Sequence, residues 1–138
     1  MSFDTVQGLG RALREGRATA RQITQRALAA ARAEPFNAFT AVFEGEALVQ
    51  ADAVDAAFAA GVDLGPLAGV PFAVKNLFDV AGHVTLAGSK IRRDAAPAGA
   101  DATAVARLKA AGAVLVGALN MDEFAYGFVT ENAHDGPT

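Results

Sequence analysis

The 138-residue chain contains no cysteine and no tryptophan, one tyrosine and two histidines. Without cysteine there is no disulfide framework, no thiol nucleophile and no thiolate metal site. Cations do not outnumber anions: twelve Lys and Arg face fifteen Asp and Glu, for a net charge of -3. The basic residues are scattered, so no nucleic-acid patch is expected. The two histidines, His83 and His134, stand alone with no HxxxH or HExxH spacing, so no metal site is expected. Glycine is plentiful but forms no GxGxxG and no P-loop, so nothing points to a bound nucleotide, and no cofactor is expected. No apolar run reaches the ~18 residues of a membrane span. The start Met1-Ser2-Phe3-Asp4 lacks a basic region followed by an apolar one, so the expectation is a cytoplasmic protein without a signal peptide.

What is present is a core-forming composition. Hydrophobic residues make up 52% and charged residues 20%, which suits a folded domain and excludes a disordered tail.

Residues 1–61 read as a helical start. Asp4 is a candidate cap for a short helix bearing Val6, Leu9 and Leu13 and ending at Gly16. Thr19-Ala20-Arg21-Gln22 has the form of a capping box. It opens a helix to about Ala33, with Ile23, Ala27, Ala30 and Ala31 expected inward and Pro35 closing it. Residues 36–43 are strand-like and apolar on both faces. A helix over about 45–60 follows, with Leu48, Ala51, Val54 or Asp55, and Phe58 at helical spacing.

Residues 62–138 read as the beginning of an α/β core. A turn-rich entry, Gly65 to Gly69, leads into the short strand 70–75, which ends in Lys75. A loop runs from Leu77 to Ser89, and Ala96 to Ala100 is a small, flexible segment. Asp101-Ala102-Thr103 is expected to cap a helix over 103–111, with Lys109 outward. A second buried strand covers 113–117. Together these predict a βαβ unit with parallel strands. After Asn120 the chain is loop-like, and Asp79, Asp122, Glu123, Glu131 and Asp135 are expected to be solvated loop charges. Met121 and Phe124 suit a core.

Lys75 is the one residue whose position suggests chemistry. Open α/β sheets place their sites at the carboxyl ends of strands. Burial disfavours the ammonium form of a lysine and frees its amine to act as a base. The other reading is a lysine that marks the end of a strand, with its amine in solvent.

Two blocks carry a resemblance. The first is Gly65-Pro66-Leu67-Ala68-Gly69-Val70-Pro71-Phe72-Ala73-Val74-Lys75-Asn76. The second comprises Ala87-Gly88-Ser89, then Asp101 to Val105, Ala111 to Ala113, Gly117 to Ala125, Thr130-Glu131-Asn132 and Gly136-Pro137-Thr138. In order and spacing they resemble the amidase signature family, whose fold is a mixed sheet flanked by helices. The resemblance implies a Ser–cis-Ser–Lys triad with Lys75 as its lysine. It implies that both serines belong to a Gly/Ser-rich segment beyond Thr138, since neither Ser2 nor Ser89 matches them. The chain is then the amino-terminal portion of one domain, without hydrolysis of its own. Asn120, Met121, Thr130, Glu131 and Asn132 would lie near the substrate.

Within the family, Asn76 to Gly82 and Asn120 to Phe128 look closest to carboxybiuret hydrolases of cyanuric-acid breakdown. These act on a small urea-like substrate and associate with a small partner protein; a homo-oligomer is also implied. The glutamine-hydrolysing component of tRNA-dependent amidotransferases is a near neighbour, although it more often carries aspartate where Asn76 stands. A third reading is a non-catalytic module derived from an amidase. Such a module would need polar surfaces where the rest of the fold packs, and both strands stay apolar on both faces.

Overall fold

The computed structural model describes residues 5–138. Its elements run α1 (Val6–Arg14), α2 (Ala20–Ala33), β1 (Phe39–Val42), α3 (Glu44–Ala59), β2 (Pro71–Lys75), α4 (Thr103–Ala110), β3 (Val114–Leu119), β4 (Glu131–Asn132) and β5 (Gly136–Pro137). The fold is α/β with a mixed sheet, as expected. The order is β1-β3-β2, with β2 parallel and β1 antiparallel to β3. The predicted βαβ unit is therefore β2-α4-β3.

Helices cover both faces of the sheet. On one side, Ile23, Leu28 and Ala31 of α2 and Ala47, Ala51 and Val54 of α3 are buried, and the α2–α3 cluster includes Val114 and Val116 of β3. On the other side, Val105 of α4 packs with Val74, Val80, Leu115, Ala118 and Phe43. Val114 and Val116 face one core and Leu115 the other, the period of two that a strand imposes, and the phase shifts at Gly117 so that Ala118 joins the side of Leu115.

Local chemistry explains the helices. Thr19 and Gln22 form the capping box, with Thr19 Oγ1 accepting from Gln22 N at 3.1 Å and Gln22 Oε1 accepting from Thr19 N at 3.1 Å. Asp55 of α3 adds a second anchor by accepting from Ala20 N and Arg21 N at 2.6 and 3.0 Å. A carboxylate there meets the free first-turn N–H groups and the positive end of the helix dipole.

Several details differ from the sequence reading. The predicted cap Asp4 lies outside the described residues; Thr5 caps α1 by accepting from Gly8 N at 3.0 Å. Ala30 is exposed, because Thr24 and Leu28 complete the buried stripe of α2. Strand β1 begins only at Phe39, after Asn37 turns the chain at φ 52°. Ala102, not Asp101, precedes α4, and it makes no side-chain cap. Asp101 instead accepts from Ala81 N at 2.9 Å and from the Lys109 ammonium at 2.8 and 3.0 Å, so Lys109 folds back along the helix. Residues 96–100 are also tied down, since Ala98 exchanges backbone hydrogen bonds with Gly82 and His83.

Burial raises the Asp101 carboxyl, but the Lys109 and Ala81 hydrogen bonds outweigh it and hold the group below the usual carboxylate range. A depressed folded value stabilises the fold above the unfolded value and is lost as pH falls through the folded one. Lys109→Met is therefore expected to cost about 0.5–1 kcal/mol at neutral pH. Urea unfolding across a pH series should show the gap from the parent closing below about pH 4; a pH-independent gap would refute the assignment.

Gly117 sits where the sheet is irregular. Pairing with β2 skips Val116, and pairing with β1 skips Thr40. Such bulges bend a strand and re-aim its side chains. A Cβ on Gly117 would lie 2.4 Å from Ala41 O and 2.9 Å from the Phe39 ring, so only glycine fits. Strands β1 and β2 form the two edges of this sheet.

Candidate active site

Lys75 is the last residue of β2 and lies opposite Leu119, the last residue of β3. It therefore stands at the carboxyl end of the parallel pair. Alternation places it on the side of Ala73, which packs against the α2–α3 core, while Val74 faces the α4 core. Lys75 is half-buried, and its amine makes no hydrogen bond or ion pair among the described residues. Elsewhere the chain pairs its charges readily: Arg14, Arg17, Arg21, Arg32 and Arg93 each form a salt bridge with a carboxylate. Arg11, Lys90 and Arg107 are also without a partner among the described residues, but all three are exposed, whereas Lys75 is half-buried at the end of a strand.

Asn76 follows. It is buried and held at both ends: Nδ2 donates to Thr40 Oγ1 at 2.9 Å, and Oδ1 accepts from Leu86 N at 3.0 Å. Its backbone N donates to Leu119 O at 3.0 Å, and its carbonyl accepts from Ala87 N at 2.8 Å.

A platform of loops surrounds this end of the sheet. Ala87 and Gly88 both have positive φ, at 51° and 64°. A Cβ on Gly88 would lie 2.8 Å from Met121 O and 3.1 Å from Asp122 O, so its bare Cα lets the two loops touch. Ser89 Oγ donates to Glu123 Oε1 at 2.6 Å, and Phe124 N donates to Ala87 O at 2.8 Å. Arg93 pairs with Asp135 at 2.6 Å. Besides Ala87, the non-glycine residues at positive φ among the described residues are Asn37, Phe124, Ala125 and Thr130. All five belong to this platform or hydrogen-bond to it. Each such residue costs on the order of 1–3 kcal/mol, and strain of this kind concentrates where a precise backbone path matters.

Of the residues expected near the substrate, Asn120, Met121 and Asn132 come together. Asn120 Oδ1 accepts from Met121 N at 2.8 Å and from Asn132 Nδ2 at 2.9 Å, while Asn120 Nδ2 donates to Asn37 O and Gly136 O. Asn132 Oδ1 accepts from His134 N and Asp135 N. Both amides are thus committed to holding the loop 130–138 against the end of β3. Met121 is fully buried. Glu131 is exposed, and Thr130 O accepts from Thr138 N at 3.0 Å.

Three expectations change here. Asp122 is buried, not solvated, and its Oδ1 accepts from Val129 N and Glu131 N at 3.4 and 3.3 Å. Phe124 is half-exposed rather than in the core, because its positive φ turns the side chain off the platform. His83 does not stand alone; it lies 2.9 Å from Glu46 and its ring centroid is 4.0 Å from that of Phe43. The clamp at Asn76 has no local signal in the sequence, since its partners are 36 and ten residues away.

Apolar side chains remain uncovered beside the platform. Phe124, Tyr126, Phe128 and Val129 are exposed in close succession, and Leu77 and Phe78 are exposed next to Lys75. Patches of this kind mark surfaces that meet protein, membrane or ligand. No helix of the described residues is long and apolar enough to cross a membrane.

A family model described as amidase matches residues 22–138. The chain is 58% identical over 139 residues to AtzE, a component of the 1-carboxybiuret hydrolase of Pseudomonas sp. strain ADP, across 99% of this chain and 30% of that protein. It is 49% identical over 137 residues to the GatA-type component of the glutamyl-tRNA(Gln) amidotransferase of Bordetella avium, across 98% of this chain and 26% of that one. Among solved structures it resembles an s-triazine catabolic enzyme described with a vestigial protein complex, at TM-score 0.92 and 56% identity, covering 94% of this chain and 29% of that one. It also resembles the peptide amidase PAM bound to the inhibitor chymostatin, at TM-score 0.84 and 29% identity, covering 99% and 30%. The chain spans about 30% of the length of the first of these curated relatives.

Proposed function

The chain belongs to the amidase family, and from that premise we propose that the whole protein hydrolyses a linear amide or urea-type C–N bond and releases ammonia. The observation that carries this reading is the unengaged Lys75 amine at the carboxyl end of β2, beside a strained loop platform.

In this proposal Lys75 is the lysine of a Ser–cis-Ser–Lys triad. Its neutral amine accepts the proton that the nucleophilic serine gives up through the bridging serine as the new C–O bond forms. The ammonium then returns that proton through the same path to the departing nitrogen as the C–N bond breaks. Water repeats the sequence on the acyl-enzyme, so the lysine ends as it began. Both serines come from outside these 138 residues. The uncovered side chains from Phe124 to Val129 support a role within a larger body. Asn120, Met121, Thr130, Glu131 and Asn132 would shape the substrate's surroundings, the two asparagines by fixing backbone.

A substrate like 1-carboxybiuret is favoured by the 58% identity to AtzE, against 49% for the amidotransferase component. A small partner protein, homo-oligomerisation and a cytoplasmic location accompany this reading. The test is ammonia release by the full-length protein from biuret-like compounds and from glutamine. We expect turnover of the biuret-like compounds to exceed that of glutamine. Turnover of glutamine alone would move the assignment to the amidotransferase type, and turnover of neither would refute it.

A further inference from the structure

Asn76 is peptide-bonded to the proposed proton carrier, and four hydrogen bonds converge on it. Its backbone ties the strand end to Leu119 of β3 and to Ala87 of the platform. Its side chain reaches Thr40 of β1 and Leu86 N. The residue is 6% exposed, so these bonds form where water does not compete.

The direction of the bonds matters. Thr40 has one hydroxyl proton, and Oγ1 donates it to Ala118 O at 3.2 Å. That oxygen can then only accept from residue 76, which an amide nitrogen allows at 2.9 Å. The other end of the amide must accept, because Leu86 N donates to it. A side chain with one donor and one acceptor end is thus required, and asparagine has the length to span both. Lys75 opens a tight turn that contains Asn76, in which the Lys75 carbonyl accepts from Leu77 N and Phe78 N at 2.6 and 3.1 Å. Its own side chain has no partner among the described residues to hold it. The direction in which the amine sets out is therefore fixed by its neighbours.

We infer that Asn76 and Thr40 are positioning residues for Lys75, acting as one donor–acceptor chain from Ala118 O through Thr40 and Asn76 to Leu86 N. The inference rests on the proposed role of Lys75. It assigns to Asn76 and Thr40 no contact with substrate and no proton transfer. Their contribution is to hold the lysine backbone, so that the amine lies within reach of the bridging serine, where small displacements are costly.

The test uses the full-length protein and ammonia release from whichever of biuret or glutamine the parent turns over. Asn76→Ala and Thr40→Val are expected to lower kcat about 10–100-fold while KM stays within about threefold of the parent. Thr40→Ser, which keeps the hydroxyl, is expected to retain kcat within about threefold. Added to Lys75→Ala, Asn76→Ala is expected to lower the residual rate no further, because its effect runs through the lysine. Thr40→Val is nearly isosteric and serves if Asn76→Ala does not fold. A kcat within about twofold of the parent in both single variants would overturn the inference. A further loss on top of Lys75→Ala, or equal losses in Thr40→Ser and Thr40→Val, would do the same. If Lys75→Ala alone keeps parental kcat, the reading of Lys75 fails first, and the two failures are distinguishable.

Discussion

Lys75→Ala in the full-length protein is expected to lower kcat by at least about three orders of magnitude and to leave unfolding almost unchanged. The first expectation follows from the proposed proton path. Removing one member of a coupled triad costs nearly as much as removing all of them, because the remaining groups cannot move the proton without it. The second follows from geometry. The Lys75 amine has no hydrogen bond or ion pair among the described residues, so its removal leaves none of their buried groups without a partner, and in the proposed triad the bridging serine keeps the nucleophilic serine as its partner. Substitutions of that kind fall within about 0.5 kcal/mol. Steady-state ammonia release and urea unfolding on the same preparation separate the two. Parental kcat would remove Lys75 from the mechanism. A collapse of stability would show that the lysine holds structure instead.

Gly117→Ala is expected to act in the opposite way, with a loss of stability of about 3 kcal/mol or more. The added Cβ would lie 2.4 Å from Ala41 O, and a strand carbonyl is not the tip of a flexible side chain. β1 must shift away from β3, and the hydrogen bond from Thr40 to Ala118 lies on that seam. Gly45→Ala is the contrasting control. It lies in α3 with nothing within 4 Å of the added methyl, and replacing a helical glycine gains up to about 1 kcal/mol. Denaturant midpoints of the two variants should move in opposite directions. Equal midpoints would show that the sheet tolerates a side chain at position 117.

The features legible in the sequence are those set by short-range chemistry. Thr19 and Gln22 announce the start of α2 because both halves of the capping box lie within four residues. The β2-α4-β3 unit is legible from two apolar runs separated by a helical period. Lys75 is legible as the charged end of an apolar strand, and the motif around it carries the family. What is not legible depends on partners far along the chain. Asp101 has the place of a helix cap, but Lys109 and Ala81 hold it. Asp122 reads as a loop charge until the fold sets the Val129 and Glu131 amides before it. The pairing of Asn120 with Asn132 and the clamp at Asn76 have no periodicity, since they close loops rather than cover faces. The bulges at Thr40 and Val116 likewise leave no pattern beyond a glycine in a strand.

Among the described residues strand β2 pairs on one side only, which has a consequence for how the lysine can be approached. A segment that adds along the open edge is located by ladder hydrogen bonds, which repeat about every 3.3 Å. Sliding it by one residue also turns every side chain to the opposite face. The separation between the Lys75 amine and a group on that segment therefore changes in whole steps, each as large as the ~3–3.5 Å reach of a reacting pair. A one-residue insertion or deletion in such a segment would disable the chemistry outright, whereas most single substitutions there would only slow it.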